Sequence, residues 1–181
     1  MQITGGYLKS RKIESPKGDN VRPTLSQIRE SIFSTLFSMT DFTEKNFLDA
    51  FAGSGIMGFE AFSRGFCDVS FIEKDKKTFF LLKENAKKLG ITADFYLGDT
   101  LKTMKKFQKQ FDVIYVDPPY QSGLYDYVIN AVQEFGLLKD YGIIILEHPK
   151  NIDIDTKIYE LIKQKNYADK TVSFLRYILK S

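Results

Sequence analysis

Apolar positions along this chain recur with two alternating periods. Residues 24–37, TLSQIRESIFSTLF, put Leu25, Ile28, Ile32 and Leu36 at helical spacing, with Thr24 placed as an N-cap. Short apolar runs of strand character follow at 47–51 (FLDAF), 69–73 (VSFIE), 93–97 (ADFYL), 111–116 (FDVIYV) and 142–147 (GIIILE). Between them lie stretches of helical length, around 56–64, 76–89, 101–108 and 124–136. This alternation predicts an α/β, Rossmann-like architecture: a mostly parallel sheet with helices on both faces. The tail breaks the rule. LIKQKNYADK and TVSFLRYILK predict two strands joined by a tight turn, an antiparallel pair at one edge of the sheet. Residues 1–23 carry Gly5, Gly6, Pro16, Gly18 and Pro23 among short apolar pieces, which suggests a hairpin or an extended arm.

The length of 181 residues fits one domain with a core that needs no covalent staples. A single Cys67 excludes an internal disulfide framework and points to a reducing, cytoplasmic setting. With one histidine, His148, and one cysteine there is no cluster for a zinc site, so no metal is expected. No apolar run approaches membrane-spanning length, and the start MQITGGYLKSRK lacks a signal-peptide apolar region.

Net charge is +3, and its distribution says more than its size. Residues 1–29 hold Lys9, Arg11, Lys12, Lys17, Arg22 and Arg29 against Glu14 and Asp19, a balance of +4, which leaves the other 152 residues at −1. A basic N-terminal segment is what a nucleic-acid-binding arm would need; a solvated basic tail would read the same way.

The first strand runs into DAFAGSGIMGFEA, where Gly53, Gly55 and Gly58 satisfy the pattern G-x-G-x-x-G between a strand and a helix. Glycines allow a tight turn and close approach of a ligand, while the helix start offers free N–H groups. Glu73 follows Gly53 by 20 residues, at the end of the next strand, where a carboxylate can bind ribose hydroxyls. An NAD-type dehydrogenase and an enzyme using another adenosine-bearing cofactor both fit this loop, and glycines serving only helix–strand packing would also give it. Asp49 weighs against a dinucleotide, because a carboxylate inside the first strand is awkward opposite pyrophosphate. It is useful opposite the ammonium and sulfonium of S-adenosylmethionine. Asp49, Glu73, Asp99 and Asp117 all fall at or near the C-terminal ends of predicted strands, which line the ligand crevice of an open α/β sheet. Asp99, in LGDTL, can also be read as a helix N-cap.

At 116–120 the chain reads VDPPY, a strand that ends on an acid and two prolines. An exocyclic amine on a nucleobase is a poor nucleophile because its lone pair is delocalised into the ring. Two acceptors aimed at its N–H groups can pyramidalise it and free that lone pair. Asp117 offers a carboxylate, Pro118 a carbonyl whose direction Pro119 fixes, and Tyr120 a ring on which an unstacked base can lie. Positioning and electrostatics would then supply most of the rate.

The combination resembles the class I S-adenosylmethionine-dependent methyltransferases with an (N/D)-P-P-(Y/F) motif, and within them the RsmD-type enzymes. The resemblance rests on ITGGYLKSRKI, RPTLSQIRESIF (22–33), FLDAFAGSGIMGFEAFSRG (47–65), FIEKD (71–75), VDPPY and the closing edge strands. It implies methylation of the N2 amine of a guanine in 16S ribosomal RNA, within a 30S assembly particle, by a monomer with a seven-stranded sheet and an antiparallel C-terminal strand. It further implies that Asp49 and the Ala52, Gly53, Ser54, Gly55 loop hold the methionine end of the cofactor and Glu73 its ribose. Asp99 and Thr100 would face the adenine, residues Asp117 to Tyr120 would receive the guanine, and Lys9, Arg11, Lys12, Arg22 and Arg29 would bind RNA phosphates. Three other readings stay open on the residues alone: adenine N6 methylation, an NAD-dependent oxidoreductase, and a non-catalytic RNA-binding assembly factor.

Overall fold

The computed structural model describes residues 1–16, 23–119, 123–150, 152, 154 and 158–177. Arg22, Tyr120 and the side chains of Thr24 and Leu25 lie outside the described residues. The elements run α1 (Pro23–Phe37), β1 (Asn46–Asp49), α2 (Ile56–Ser63), β2 (Asp68–Glu73), α3 (Lys76–Leu89), β3 (Asp94–Leu97), α4 (Thr100–Met104), β4 (Phe111–Val116), α5 (Tyr125–Glu134), β5 (Leu138–His148), β6 (Tyr159–Asn166) and β7 (Thr171–Tyr177). The strands form one seven-stranded sheet in the order β3-β2-β1-β4-β5-β7-β6. Pairings from β3 to β5 are parallel, whereas β7 is antiparallel to both β5 and β6. The C-terminal strand has the direction the sequence predicts, but it is inserted between β5 and β6, so that β6 forms the edge.

Alternation along each strand divides the core between the two faces. Phe47, Val69, Phe71, Val113, Tyr115, Ile143, Ile145, Val172 and Phe174 face α1, α2 and α3, where they meet Ile28, Ile32, Phe33, Phe59 and Leu82. Leu48, Ile72, Ile114, Val116, Ile144, Leu146 and Leu175 face α5 through Val128, Ile129 and Val132. α3 shows how locally the helices are specified. Asp75 caps it by accepting from the Thr78 N–H at 2.8 Å, Phe79, Leu82, Ala86 and Leu89 form its buried stripe, and Gly90 ends it at φ 70°.

Residues 1–13 fold back on themselves as a hairpin, with Ile3 N–H donating to Arg11 O at 3.0 Å and Ile13 N–H to Met1 O at 2.9 Å. It is not a free arm. Ile3, Leu8 and Ile13 join the core, and the buried Glu60 of α2 accepts hydrogen bonds from the Thr4 N–H, the Thr4 hydroxyl and Arg64. Two boundaries differ from the sequence reading. α4 stops at Met104, because Phe107 turns back to stack edge-on against Tyr96 and Phe111. β5 starts at Leu138, earlier than the apolar run, with Tyr141 at φ 61° and a register shift where it meets β4 between Phe111 and Val113. LKDYG has the composition of a turn, and only pairing with β4 extends the strand through it. No described helix is long and apolar enough to cross a membrane.

Candidate active site

The strand order reverses direction between β1 and β4, and the crevice above that switch point is where open α/β sheets bind ligands. Asp49 ends β1 opposite Tyr115 of β4, and Asp117 follows two residues later on the same side of the sheet. Asp49 is 1% exposed. Its Oδ2 accepts from the Gly58 N–H at 3.2 Å, while Oδ1 is buried without a hydrogen-bond partner. Burial pushes its carboxyl up to about 7, against the backbone N–H groups of Gly58 and Phe51, which pull it down.

The glycine loop lies directly above. Gly53 (φ 53°) and Gly55 (φ 86°) hold a left-handed backbone that favours glycine. A Cβ at Gly53 would meet nothing within 4 Å, which leaves the loop open towards the crevice, whereas one at Gly58 would lie 2.2 Å from the Phe71 ring. Gly58 is thus held close by helix–strand packing, whereas the space beside Gly53 is open. Ala52 N–H donates to Ile72 O at 2.9 Å, and Ser54 is buried with its carbonyl accepting from Asn85 Nδ2 at 3.1 Å. Glu73 Oε2 accepts from the Gly53 N–H, and its Oε1 from the Asp75 N–H at 2.7 Å. Gly98 N–H donates to Glu73 O at 3.0 Å, which brings the GDT segment beside the same corner. There Asp99 is exposed and caps α4 by accepting from Lys102 N–H at 3.1 Å, while Thr100 Oγ1 donates to Ala50 O at 2.9 Å. Cap and cofactor contact are compatible for Asp99, since the cap occupies one oxygen.

Asp117 stands half-buried at the end of β4, followed by a buried Pro118 and an exposed Pro119. Burial, then the neighbouring Glu147 charge, pushes its carboxyl up to about 8, with Lys170 pulling the other way. Glu147, 3% exposed at the end of β5, accepts hydrogen bonds from the Tyr115 hydroxyl and from Lys170 Nζ. Burial and Glu147 together raise the Tyr115 hydroxyl far above its ordinary value. Burial lowers Lys170, but the Glu147 and Asp117 charges outweigh it and raise it overall.

Sequence reading missed this second layer. Glu147 had a signal, because it ends the predicted strand GIIILE as Asp49 and Glu73 end theirs. Lys170 and Tyr115 had none, since only the β5–β7 and β4–β5 registers bring them to Glu147. Asn85 was also silent: it holds Ser54 O and both backbone groups of Glu14 from the middle of a helix.

The basic residues divide. Lys9, Arg11 and Lys12 are exposed on the hairpin. Arg29 is not available to phosphate. It is 4% exposed, donates to Gln2 O at 2.6 Å and lies 3.4 Å from Glu60. Its place on α1 turns it inward onto the hairpin and Glu60 of α2, which the charge pattern could not reveal.

The donor set fits a cationic adenosine cofactor. A buried carboxylate oxygen without a donor is costly, and an ammonium group placed there satisfies it. A pyrophosphate would bring no positive group to the Asp49 oxygen, and would meet like charge wherever Asp49 and Asp117 ionise.

The chain is similar to known proteins along nearly its whole length. A family model described as conserved hypothetical protein 95 matches residues 1–176. A protein named ribosomal RNA small subunit methyltransferase D from Buchnera aphidicola is 39% identical over 166 residues, covering 90% of this chain and 86% of the relative. One of the same name from Haemophilus influenzae is 33% identical over 171 residues, covering 91% and 88%. Among solved structures, a Thermus thermophilus protein described as hypothetical superposes with a TM-score of 0.83 at 26% identity, over 97% of this chain and 99% of that one. The fold, at 19% identity and a TM-score of 0.69, is also that of the T. thermophilus 16S rRNA N2 G1207 methyltransferase solved with AdoMet and guanosine, over 90% of this chain and 45% of that one. With a model spanning nearly all its residues and relatives above 30% identity along most of their length, the chain belongs to the RsmD-type methyltransferases, the conserved hypothetical protein 95 family.

Proposed function

We propose that this protein methylates the exocyclic N2 amine of a guanine in 16S ribosomal RNA. The observation that carries the reading is the pairing, across β1 and β4, of an unpartnered Asp49 oxygen beside an open glycine loop with the Asp117–Pro118 acceptors. The names of the relatives supply the ribosomal RNA.

S-adenosylmethionine, when bound, supplies an electrophilic methyl group on a sulfonium. Asp49 and the loop from Ala52 to Gly55 would hold its ammonium end, Glu73 its ribose, and Asp99 with Thr100 would border its adenine. The acceptor base would enter beside β4. Ionised Asp117 and the Pro118 carbonyl accept the two N–H bonds of the amine and turn its lone pair out of the ring plane. Pro119 holds that carbonyl in place, and Tyr120 is assigned the stacking contact. The amine becomes cationic as it gains the methyl group, so the adjacent Asp117 charge stabilises the transition state more than the ground state. Lys9, Arg11 and Lys12 would track RNA phosphates, and Arg22 is assigned the same role.

The test is methyl transfer from labelled S-adenosylmethionine to 16S ribosomal RNA, offered both naked and within 30S particles, with the product nucleosides separated by mass spectrometry. N2-methylguanosine is expected. Label in N6-methyladenosine would assign the site to adenine, and absence of label in either substrate would overturn the reading.

A further inference from the structure

Asp49, Tyr115, Asp117 and Glu147 share one face of the sheet at the ends of three neighbouring strands. Tyr115 pairs with Asp49 on one side and with Ile145 on the other, and Val116 pairs with Leu146. Asp117 and Glu147 therefore leave β4 and β5 at the same level. Three carboxyl groups in one buried corner would repel strongly if all were ionised. The structure distributes them unequally. Glu147 has both a cation and a hydroxyl as partners, with Lys170 on one oxygen and Tyr115 on the other. Lys170 comes from the turn between β6 and β7, closed by the Tyr167 N–H to Lys170 O bond at 2.8 Å. Glu147 Oε2 and Lys170 Nζ form an ion pair whose side chains are 4% and 13% exposed. A pair this buried is not screened as a surface pair is.

We propose that Glu147, anchored by Lys170, is a positioning residue for the methyl acceptor: from the same level of the neighbouring strand it keeps a fixed negative charge beside the Asp117 carboxyl group. This rests on the function proposed above. When the amine nitrogen uses its lone pair to form the N–C bond, the C–S bond breaks and its electron pair stays on sulfur. The nitrogen then carries a positive charge and must lose one proton. Asp117 is the nearest carboxylate and becomes the neutral acid on taking it. A negative Glu147 beside it makes Asp117 a stronger base for that step, while Lys170 and the Tyr115 hydroxyl occupy the two Glu147 oxygens. Among the described residues, the groups that act on Asp117 are Asp49 from β1, Tyr115 from its own strand, Glu147 from β5 and Lys170 from the β6–β7 turn, and Arg29 of α1 interacts with Tyr115.

Two substitutions separate this role from a merely structural one, because they act in opposite directions. Carboxyl carbon NMR titration of the free protein, with the Asp117 signal assigned by its loss in Asp117→Asn, reads the effect without turnover. Glu147→Gln removes the negative neighbour, so Asp117 should titrate about one pH unit lower. Lys170→Met removes the positive one, so Asp117 should titrate higher by a similar amount. Single-turnover rates should follow, with the acid limb displaced in the same two directions and cofactor affinity within about twofold of wild type. An Asp117 titration that stays in place, or moves the same way in both variants, overturns the proposal. A wild-type protein that binds S-adenosylmethionine but methylates no guanine would instead overturn the assigned reaction, and the titration would still decide the role of Glu147.

Discussion

Glu73 Oε2 accepts the Gly53 backbone N–H at 2.9 Å, so the acid that ends β2 and the glycine loop that follows β1 are one hydrogen-bonded unit. Glu73 is therefore assigned two tasks, holding the loop and offering its remaining lone pairs to ribose. Glu73→Ala should weaken S-adenosylhomocysteine binding by about 1.5–3 kcal/mol, the range for hydrogen bonds to a charged group. Calorimetry on folded variant protein measures it, and wild-type affinity there would remove Glu73 from the cofactor site.

The hairpin depends on Glu60. This fully buried carboxylate receives Thr4, Arg64 and Arg29, and it is the counter-charge for an arginine that is itself almost fully buried. Removing one member of a buried pair leaves the other uncompensated, at a cost of about 3–5 kcal/mol. Glu60→Ala should lower the urea midpoint accordingly, and a loss under about 1 kcal/mol would mean that the network is not what seats the hairpin.

Because Ile3, Leu8 and Ile13 are core residues, deleting the N-terminal segment would test folding and RNA contact together. Charge removal is cleaner. Replacing Lys9, Arg11 and Lys12 by Ser should reduce the slope of log affinity against log salt by up to roughly 2–3 for three phosphate contacts, with little change in stability. An unchanged slope in filter binding would make the hairpin a folded basic surface without a role in RNA contact.

These cases show what periodicity and spacing could and could not reveal. Strand and helix order, the crevice acids and the glycine loop were legible because each is encoded locally: a run of apolar residues, an acid at its end, a turn sequence after it. The orientation of Arg29 was not, because a charge count carries no information about which helical face turns inward. Lys170 was invisible for a related reason, since its partner Glu147 lies 23 residues away across an antiparallel pairing. The glycines also divided in a way that spacing alone could not decide, with Gly58 packed on Phe71 and Gly53 open.

Asp49 gives the site a pH dependence. Its carboxyl titrates near 7 in the folded protein against 3.8 ordinarily, so the raised value is a neutral acid held by burial. Between about pH 4 and 7 the folded chain keeps a proton that the unfolded chain has lost. The contribution of this group to stability is therefore full at low pH and is lost as pH rises through about 7. A ligand ammonium needs the ionised form, so binding near pH 6 should release a proton and affinity should rise with pH, by at most tenfold per unit, before levelling above about 8. Calorimetry of S-adenosylhomocysteine in buffers of different ionisation enthalpy counts the protons. Asp49→Asn should abolish most of the release along with much of the affinity. Binding at pH 6 with no proton exchange would place the ammonium elsewhere.

The proposed chemistry turns on Asp117. Even with its carboxyl raised to about 8, it is far too weak a base to deprotonate an aryl amine before attack, so its assigned work is to orient the N–H groups and receive a proton afterwards. Orientation needs an acceptor oxygen; receipt of the proton and stabilisation of the cationic nitrogen need the charge. Asp117→Asn keeps an acceptor and loses the charge, so it should retain a small but measurable rate. Asp117→Ala loses both and should fall by about 10²–10³ or more, the effect of deleting one preorganised electrostatic contact, roughly 2.7–4 kcal/mol. Tyr120→Phe should stay active because the ring is assigned the stacking role, while Tyr120→Ala should fail mainly in the chemical step. Single-turnover methyl transfer at saturating cofactor separates these from binding defects. The order wild type, Tyr120→Phe, Asp117→Asn, Asp117→Ala is the signature of a carboxylate that works by position and charge. An Asp117→Ala rate equal to wild type would remove the strand-end acid from the reaction.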